Sequence, residues 1–223
     1  MRTNQLPFFG AIVLLGLSCV LSVALAIIRL HFSLSASYLF LIWNLFLAMI
    51  PVILAFLMFL IYSHTEKTGL VFFLLTLLWL LFLPNAPYII TDFLHLRLRP
   101  RIPLWFDTIL LFSFSWNGFL GGLVSLRLMQ LLYEQRFGAT GGWVFVIISC
   151  PLAALGIFVG RFLRWNSWDI FRRPRTLFAD VLEQIQRPTS LDDEFAVVLI
   201  LTPLLFLAYV SLLAFGKISE SRS

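Results

Sequence analysis

Long runs of apolar side chains dominate the chain, and short polar segments separate them. A membrane helix needs about 20 apolar residues to cross about 30 Å of hydrocarbon. Six runs without Asp, Glu, Lys, Arg or His meet this length, at residues 8–28, 38–62, 69–91, 108–126, 139–160 and 195–216. The pattern predicts an all-α, polytopic transmembrane helical bundle of about six spans, with residues 1–223 forming a single integral membrane domain.

The third run is interrupted by Pro84-Asn85-Ala86-Pro87. Each proline lacks a backbone N–H and restricts the residue before it. We therefore expect the third span to be broken between Pro84 and Pro87. Carbonyl groups freed at membrane depth must face protein or a water-filled cavity, so the break is also a candidate site.

The fifth loop contains a second periodic segment. From Thr176, apolar side chains recur at helical spacing, at Leu177, Phe178, Val181, Leu182 and Ile185. This pattern predicts a short amphipathic helix that lies on the membrane surface.

Composition agrees with a membrane location. Hydrophobic residues make up 61% of the chain and charged residues 12%, whereas about a quarter of residues are charged in soluble domains. The 16 Lys and Arg against 11 Asp and Glu give a net charge of +5. Such an excess suits loops at a negatively charged membrane surface, so we expect membrane lipids as partners and no nucleic acid.

Polar residues follow the proline break at regular intervals. On a continuous helix, Tyr88, Asp92, His95 and Arg99 would share one stripe. Asp92 and His95 would then form an acid-base or metal pair, with Arg99 beside them to bind an anion. The alternative is that these residues mark the membrane interface.

A second polar group follows the fifth span. Arg161 and Arg164 beside Trp165 can hold a phosphate or carboxylate against an aromatic wall. Arg and Trp also form ordinary anchors at membrane boundaries, but Asn166 and Asp169 exceed what anchoring needs. Successive spans cross the membrane in opposite directions, so the ends of spans that meet the first, third and fifth loops lie on one membrane side. Asn44, Asn85 and Asp107 are near such ends, and they complete the predicted ligand-binding set.

Small residues recur four positions apart at Gly118/Gly122 and at Gly156/Gly160. Such spacing permits close helix packing. It predicts a tight pair between the fourth and fifth spans, or a homodimer through either face.

Known catalytic motifs are missing from the sequence. There is no HExxH, G-x-S-x-G or Walker loop. Whether the chain is an enzyme, and which metal or cofactor it binds, stays open.

Four segments nevertheless carry a family resemblance. They are Asn44–Ala48 with Pro51, Leu81–Tyr88 continuing to Thr91-Asp92 and His95-Leu96, Pro103–Asp107, and Gly160–Asp169. Together they resemble the pattern of a bacterial membrane family known as domain of unknown function 1361. The resemblance implies a multi-pass protein of the bacterial inner membrane and no established biochemical activity.

Three functional hypotheses remain. The first is binding of an anionic lipid head group or small anion in an Arg-lined polar cleft on one membrane side. The second is an enzyme acting on a lipid-linked substrate through Asp92 and His95. The third is a structural or assembly partner that uses the glycine faces.

Overall fold

The computed structural model describes residues 6–63, 69–99, 101–165, 172–186 and 195–220. Within these ranges the chain is helical apart from turns, short irregular stretches and one isolated bridge between Arg99 and Ile102. The helices are α1 (Leu6–Ser33), α2 (Phe40–Tyr62), α3 (Leu70–Phe82), α4 (Asn85–Tyr88), a 3₁₀ helix (Ile89–His95), α5 (Leu104–Arg161), α6 (Pro174–Gln186) and α7 (Ala196–Glu220). The predicted all-α fold and the helix in the fifth loop are confirmed.

Five of these helical segments are long and apolar enough to cross a membrane. One of them, α5, has 58 residues and bends at Gly138, where φ is 72°. Glycine tolerates this positive φ because it has no Cβ. The bend divides α5 into a first arm (residues 104–137) and a second arm (residues 139–161), which contain the predicted fourth and fifth spans.

The prediction of a loop between those two spans was wrong, because residues 127–137 are helical and continue the first arm. Leu128, Met129 and Leu132 are buried and give this extension an apolar face. The extension also binds the end of α2. Gln135 Nε2 donates to the Ser63 carbonyl at 3.0 Å, and Arg136 Nη2 donates to the Tyr62 carbonyl at 3.0 Å.

The chain forms two compact units. Unit 1 comprises Met1–Met49 and Asn85–Gly122, and unit 2 comprises Ile50–Pro84 and Leu123–Ser223. In unit 1, Asn117 is fully buried and donates from Nδ2 to Ser22 Oγ at 2.8 Å and to the Ser18 carbonyl at 3.1 Å. This amide links the first arm of α5 to α1, as polar residues do between membrane helices. In unit 2, aromatic side chains fill much of the core, including Trp79 against Phe145.

The predicted break in the third span is confirmed, because α3 ends at Phe82 and α4 begins at Asn85. Glycines pack against this break. A Cβ on Gly118 would lie under 3.0 Å from the Ala86 carbonyl oxygen, and a Cβ on Gly156 would lie under 3.0 Å from Pro84 Cγ. Gly122 likewise faces Ala86 and Pro87. These three glycine positions therefore contact the chain's own proline segment.

The carbonyl groups near the break find partners within unit 1. Thr91 Oγ1 donates to the Tyr88 carbonyl at 2.7 Å, and Ser115 Oγ donates to the Ile89 carbonyl at 3.0 Å. Hydroxyl groups thus supply hydrogen-bond donors to two carbonyl groups just after the break, which suits a low-dielectric surrounding.

Gly118→Ala is expected to destabilise the protein by about 1–3 kcal/mol, because the added methyl group collides with backbone rather than with a flexible side chain. Thermal unfolding in detergent measures the change. Gly16→Ala in α1 is the matched control, since nothing lies within 4 Å of its Cβ position. Equal melting temperatures for the two variants would contradict the close packing at Ala86.

Candidate functional site

Polar side chains gather in unit 1 where α1 ends, α2 and α5 begin, and the 3₁₀ helix ends. The group contains five residues of the predicted set, Asn44, Asp92, His95, Arg99 and Asp107. It also contains Arg29 and Tyr38. The positions of these residues at helix ends bring them together, and their contacts define the candidate site.

Arg29 and Asp107 form a buried ion pair. Arg29 is 2% exposed and Asp107 is 1% exposed. Arg29 Nε donates to Asp107 Oδ1 at 2.7 Å, and Nη2 donates to Oδ2 at 3.1 Å. Asp107 lies in the first turn of α5, where the helix dipole favours a carboxylate. This two-point contact joins the end of α1 to the start of α5 and occupies both oxygen atoms of Asp107.

Tyr38 lies at the centre of the group and is 2% exposed. The guanidinium carbon of Arg29 is 4.3 Å from the centre of its ring, and that of Arg99 is 4.8 Å away. Its hydroxyl donates to the His95 carbonyl at 2.9 Å. Tyr38 therefore contacts both arginines and also holds the end of the 3₁₀ helix.

Asp92 is fully buried, and Asn44 Nδ2 donates to its Oδ2 at 2.8 Å. His95 Nδ1 lies 3.3 Å from the Asp92 carbonyl oxygen and 4.0 Å from Oδ1. Because a carbonyl only accepts, this contact requires the proton on Nδ1 and leaves Nε2 as the basic nitrogen. The His95 side chain is 46% exposed, so it connects the buried carboxylate with the surface.

Arg99 differs from Arg29 in its partners. All three guanidinium nitrogens of Arg29 donate hydrogen bonds. Arg99 Nε is buried without a hydrogen-bond partner, and no ion pair joins Arg99 to another described residue. Within the described part of unit 1, the Arg99 guanidinium thus contacts the Tyr38 ring and has no ion-pair partner.

The predicted helical stripe through Arg99 was wrong. The 3₁₀ helix ends at His95, and Leu96 is extended with ψ of 117°. Arg99 instead pairs with Ile102 across a tight turn in which Arg101 has φ of 69°. Arg99 precedes Pro100 in the sequence, and a residue before proline avoids helical torsions.

Asn85 and Tyr88 lie on α4 and are half-buried in unit 1. Arg161, Arg164 and Trp165 belong to unit 2. Arg161 ends α5, and the exposed Arg164 follows with φ of 57°. Trp165 Nε1 donates to Asp180 Oδ2 at 3.1 Å and so ties this segment to α6. The predicted residues Asn166 and Asp169 lie outside the described residues.

No group of three His, Cys, Asp or Glu side chains that could share a metal ion occurs among the residues that the structure describes. Asp92 and His95 are two potential ligands. A metal at this pair would need its further ligands from water, substrate or the rest of the chain.

Sequence reasoning missed Arg29 and Tyr38. The first apolar run ends at Ile28, so the predicted span stops short of Arg29. The sequence signal was the apolar pattern beyond it, Leu30 and Phe32, which lets α1 continue to Ser33. A charge inside such a helix requires a partner, and Asp107 at the start of a later span is the acidic residue that meets this need.

These observations define a multi-pass helical membrane protein with a buried polar group at helix ends. A family model described as "Protein of unknown function (DUF1361)" matches residues 43–211. The chain belongs to this family, as its motifs predicted. No curated protein and no solved structure matches the chain.

Replacing one partner of the Arg29–Asp107 pair should destabilise the protein by about 3–5 kcal/mol, because the other charge stays buried alone. Arg29→Met and Asp107→Leu test this by unfolding in detergent. The double variant should recover much of the loss, since it removes both charges. Strictly additive losses in the double variant would show that the two side chains are not coupled.

Proposed function

We propose that this chain is a protein of the bacterial inner membrane whose unit 1 binds an anionic head group or small anion at Arg99 and His95. The observation that carries the proposal is the buried Arg99 Nε, a donor of a charged group with no acceptor among the described residues. An arginine whose Nε lacks an acceptor binds an oxyanion strongly, because its planar guanidinium group offers parallel N–H donors.

The charge around Arg99 supports this proposal. Arg97 and Arg101 flank it in the sequence and are exposed, and they raise the local positive potential. Arg29 neutralises Asp107, and Asp92 is buried with its Oδ2 accepting a hydrogen bond from Asn44, so three arginines stand against one carboxylate here. An external anion would therefore meet an excess of positive charge beside the half-exposed imidazole of His95.

The other residues of the predicted set take supporting roles in this proposal. Asn44 positions Asp92, and Asp107 positions Arg29 and through it the Tyr38 ring. Asn85 and Tyr88 would orient the bound group.

Arg99→Gln should lower retention of phosphatidylglycerol by about tenfold, since a hydrogen bond to a charged group contributes about 1.5–3 kcal/mol. Native mass spectrometry of the purified protein in detergent measures the bound lipid. Addition of inorganic phosphate then distinguishes the two sources of the anion. Phosphate displaces the lipid if the site recognises the anion alone.

Arg97→Gln is the matched control. It removes the same charge from a side chain that is exposed and lies two positions before Arg99. It should lower lipid retention much less than Arg99→Gln does, because Arg97 contributes to the local potential from an exposed position. Equal losses of bound lipid in the two variants would show that general surface charge holds the lipid, and would contradict a specific site at Arg99.

A second candidate function is proton transfer on a lipid-linked substrate. The contact between His95 Nδ1 and the Asp92 carbonyl favours it, because it directs a basic Nε2 away from the buried carboxylate. Asp92 and Asn44 would act as positioning residues, and Arg99 would stabilise developing negative charge.

Vesicles of phosphatidylglycerol containing the protein test this activity, with lipid products identified by mass spectrometry. His95→Gln should reduce the rate by about 10²–10⁴, the usual contribution of a general base. Asn44→Leu should give a smaller loss together with a shifted pH profile. An unchanged rate in His95→Gln would eliminate the imidazole as the proton acceptor, and elemental analysis of the same protein tests for a metal.

A further inference from the structure

Unit 2 contains a separate buried polar group around Gln130, which is fully buried on the first arm of α5. Its Oε1 accepts a hydrogen bond from Arg127 Nη1 at 2.9 Å and another from the Tyr209 hydroxyl. Tyr209 lies on α7 and is also fully buried. The amide thus joins α5 and α7 through its oxygen atom.

The orientation of the Gln130 amide follows from its partners. A guanidinium group has donors and no acceptor, so the atom that faces Arg127 must be the oxygen. The opposite side of the amide is then Nε2, which carries two protons. Nε2 is buried without a hydrogen-bond partner among the described residues.

Two more buried donors belong to unit 2, one on the second arm of α5 and one on α3. Ser149 Oγ and Trp79 Nε1 are both buried without a partner among the described side chains and backbone groups. Gln130 Cγ is 3.3 Å from the position that a Cβ on Gly142 would occupy. The centres of the Trp79 and Phe145 rings are 5.5 Å apart. Gly142, Phe145 and Ser149 recur at the spacing of one helix face. Gln130, Trp79 and Ser149 therefore lie beside or on that face, within about 10 Å along the helix at 1.5 Å per residue.

We propose that this face of unit 2 binds neutral acceptor oxygens, supplied by buried water or by the ester carbonyl of a lipid. The donors require acceptors because an unmade hydrogen bond in a buried site is costly. The local charge favours a neutral group, since Arg127 Nη1 lies 3.6 Å from Glu134 Oε1. Buried water commonly satisfies such groups in proteins.

Solid-state NMR of the whole protein in bilayers tests the proposal, with ¹⁵N in the side-chain amides of Gln and Asn. Magnetisation transferred from water, or from lipid with ¹³C-labelled ester carbonyls, should reach Gln130 Nε2. Gln130→Glu identifies the resonance by its loss, and Gln130→Leu serves where the first variant does not fold.

Asn117 is the matched control, because it is equally buried but its Nδ2 already donates to Ser18 and Ser22. Its Nδ2 should receive no signal from the lipid carbonyl, whereas its Oδ1 is buried without a partner among the described residues and can accept a hydrogen bond from water. A water signal at Gln130 assigns water as the ligand, and a carbonyl signal assigns the lipid. Absence of both signals at Gln130, or equal signals from the lipid carbonyl at Gln130 and Asn117, would overturn the proposal.

Discussion

The buried pairing of Arg29 with Asp107 is the interaction on which the rest of unit 1 depends. A guanidinium inside apolar surroundings needs both charge compensation and hydrogen-bond acceptors. Asp107 supplies both through two contacts, at 2.7 and 3.1 Å. The pair fixes the end of α1 against the start of α5 and places Arg29 over the ring of Tyr38. Tyr38 in turn holds the His95 carbonyl. The position of the candidate site in unit 1 therefore depends on the neutralisation of Arg29 by Asp107.

The proline break applies the same physical rule to the backbone. A helix interrupted at membrane depth must satisfy its freed carbonyls from neighbouring segments. Ser115 and Thr91 donate to two carbonyl groups just after the break, and Gly118 has no side chain to hinder the approach of Ala86. The break then allows the following 3₁₀ helix to direct Asp92 inward while His95 reaches the surface. An irregular segment thus creates a polar site that a straight helix would not provide.

Sequence patterns predicted the helices well, because membrane spans need long apolar runs that few other structures produce. Helix parity predicted that Asn44, Asn85 and Asp107 share one membrane side, which stays a prediction, while Asn44 and Asp92 are in contact in unit 1. The patterns failed where a charged residue is compatible with two environments. Arg29 was assigned to a loop, and residues 127–137 were read as a connection, because ionisable side chains are usually excluded from membrane helices. Pairing partners such as Asp107 can only be identified once distant segments are brought together.

The central claim is that Arg99 receives an external anion, because its buried Nε has no acceptor in the described part of unit 1, whereas Arg29 and Asp107 bind each other. Rotational-echo NMR in phosphatidylglycerol bilayers tests it most directly, by measuring distances between arginine ¹⁵N and lipid ³¹P. The account predicts a nitrogen–phosphorus distance of about 4 Å at Arg99, as expected for hydrogen-bonded phosphate. Phosphorus near the exposed Arg97 and Arg101 but distant from Arg99 would contradict it.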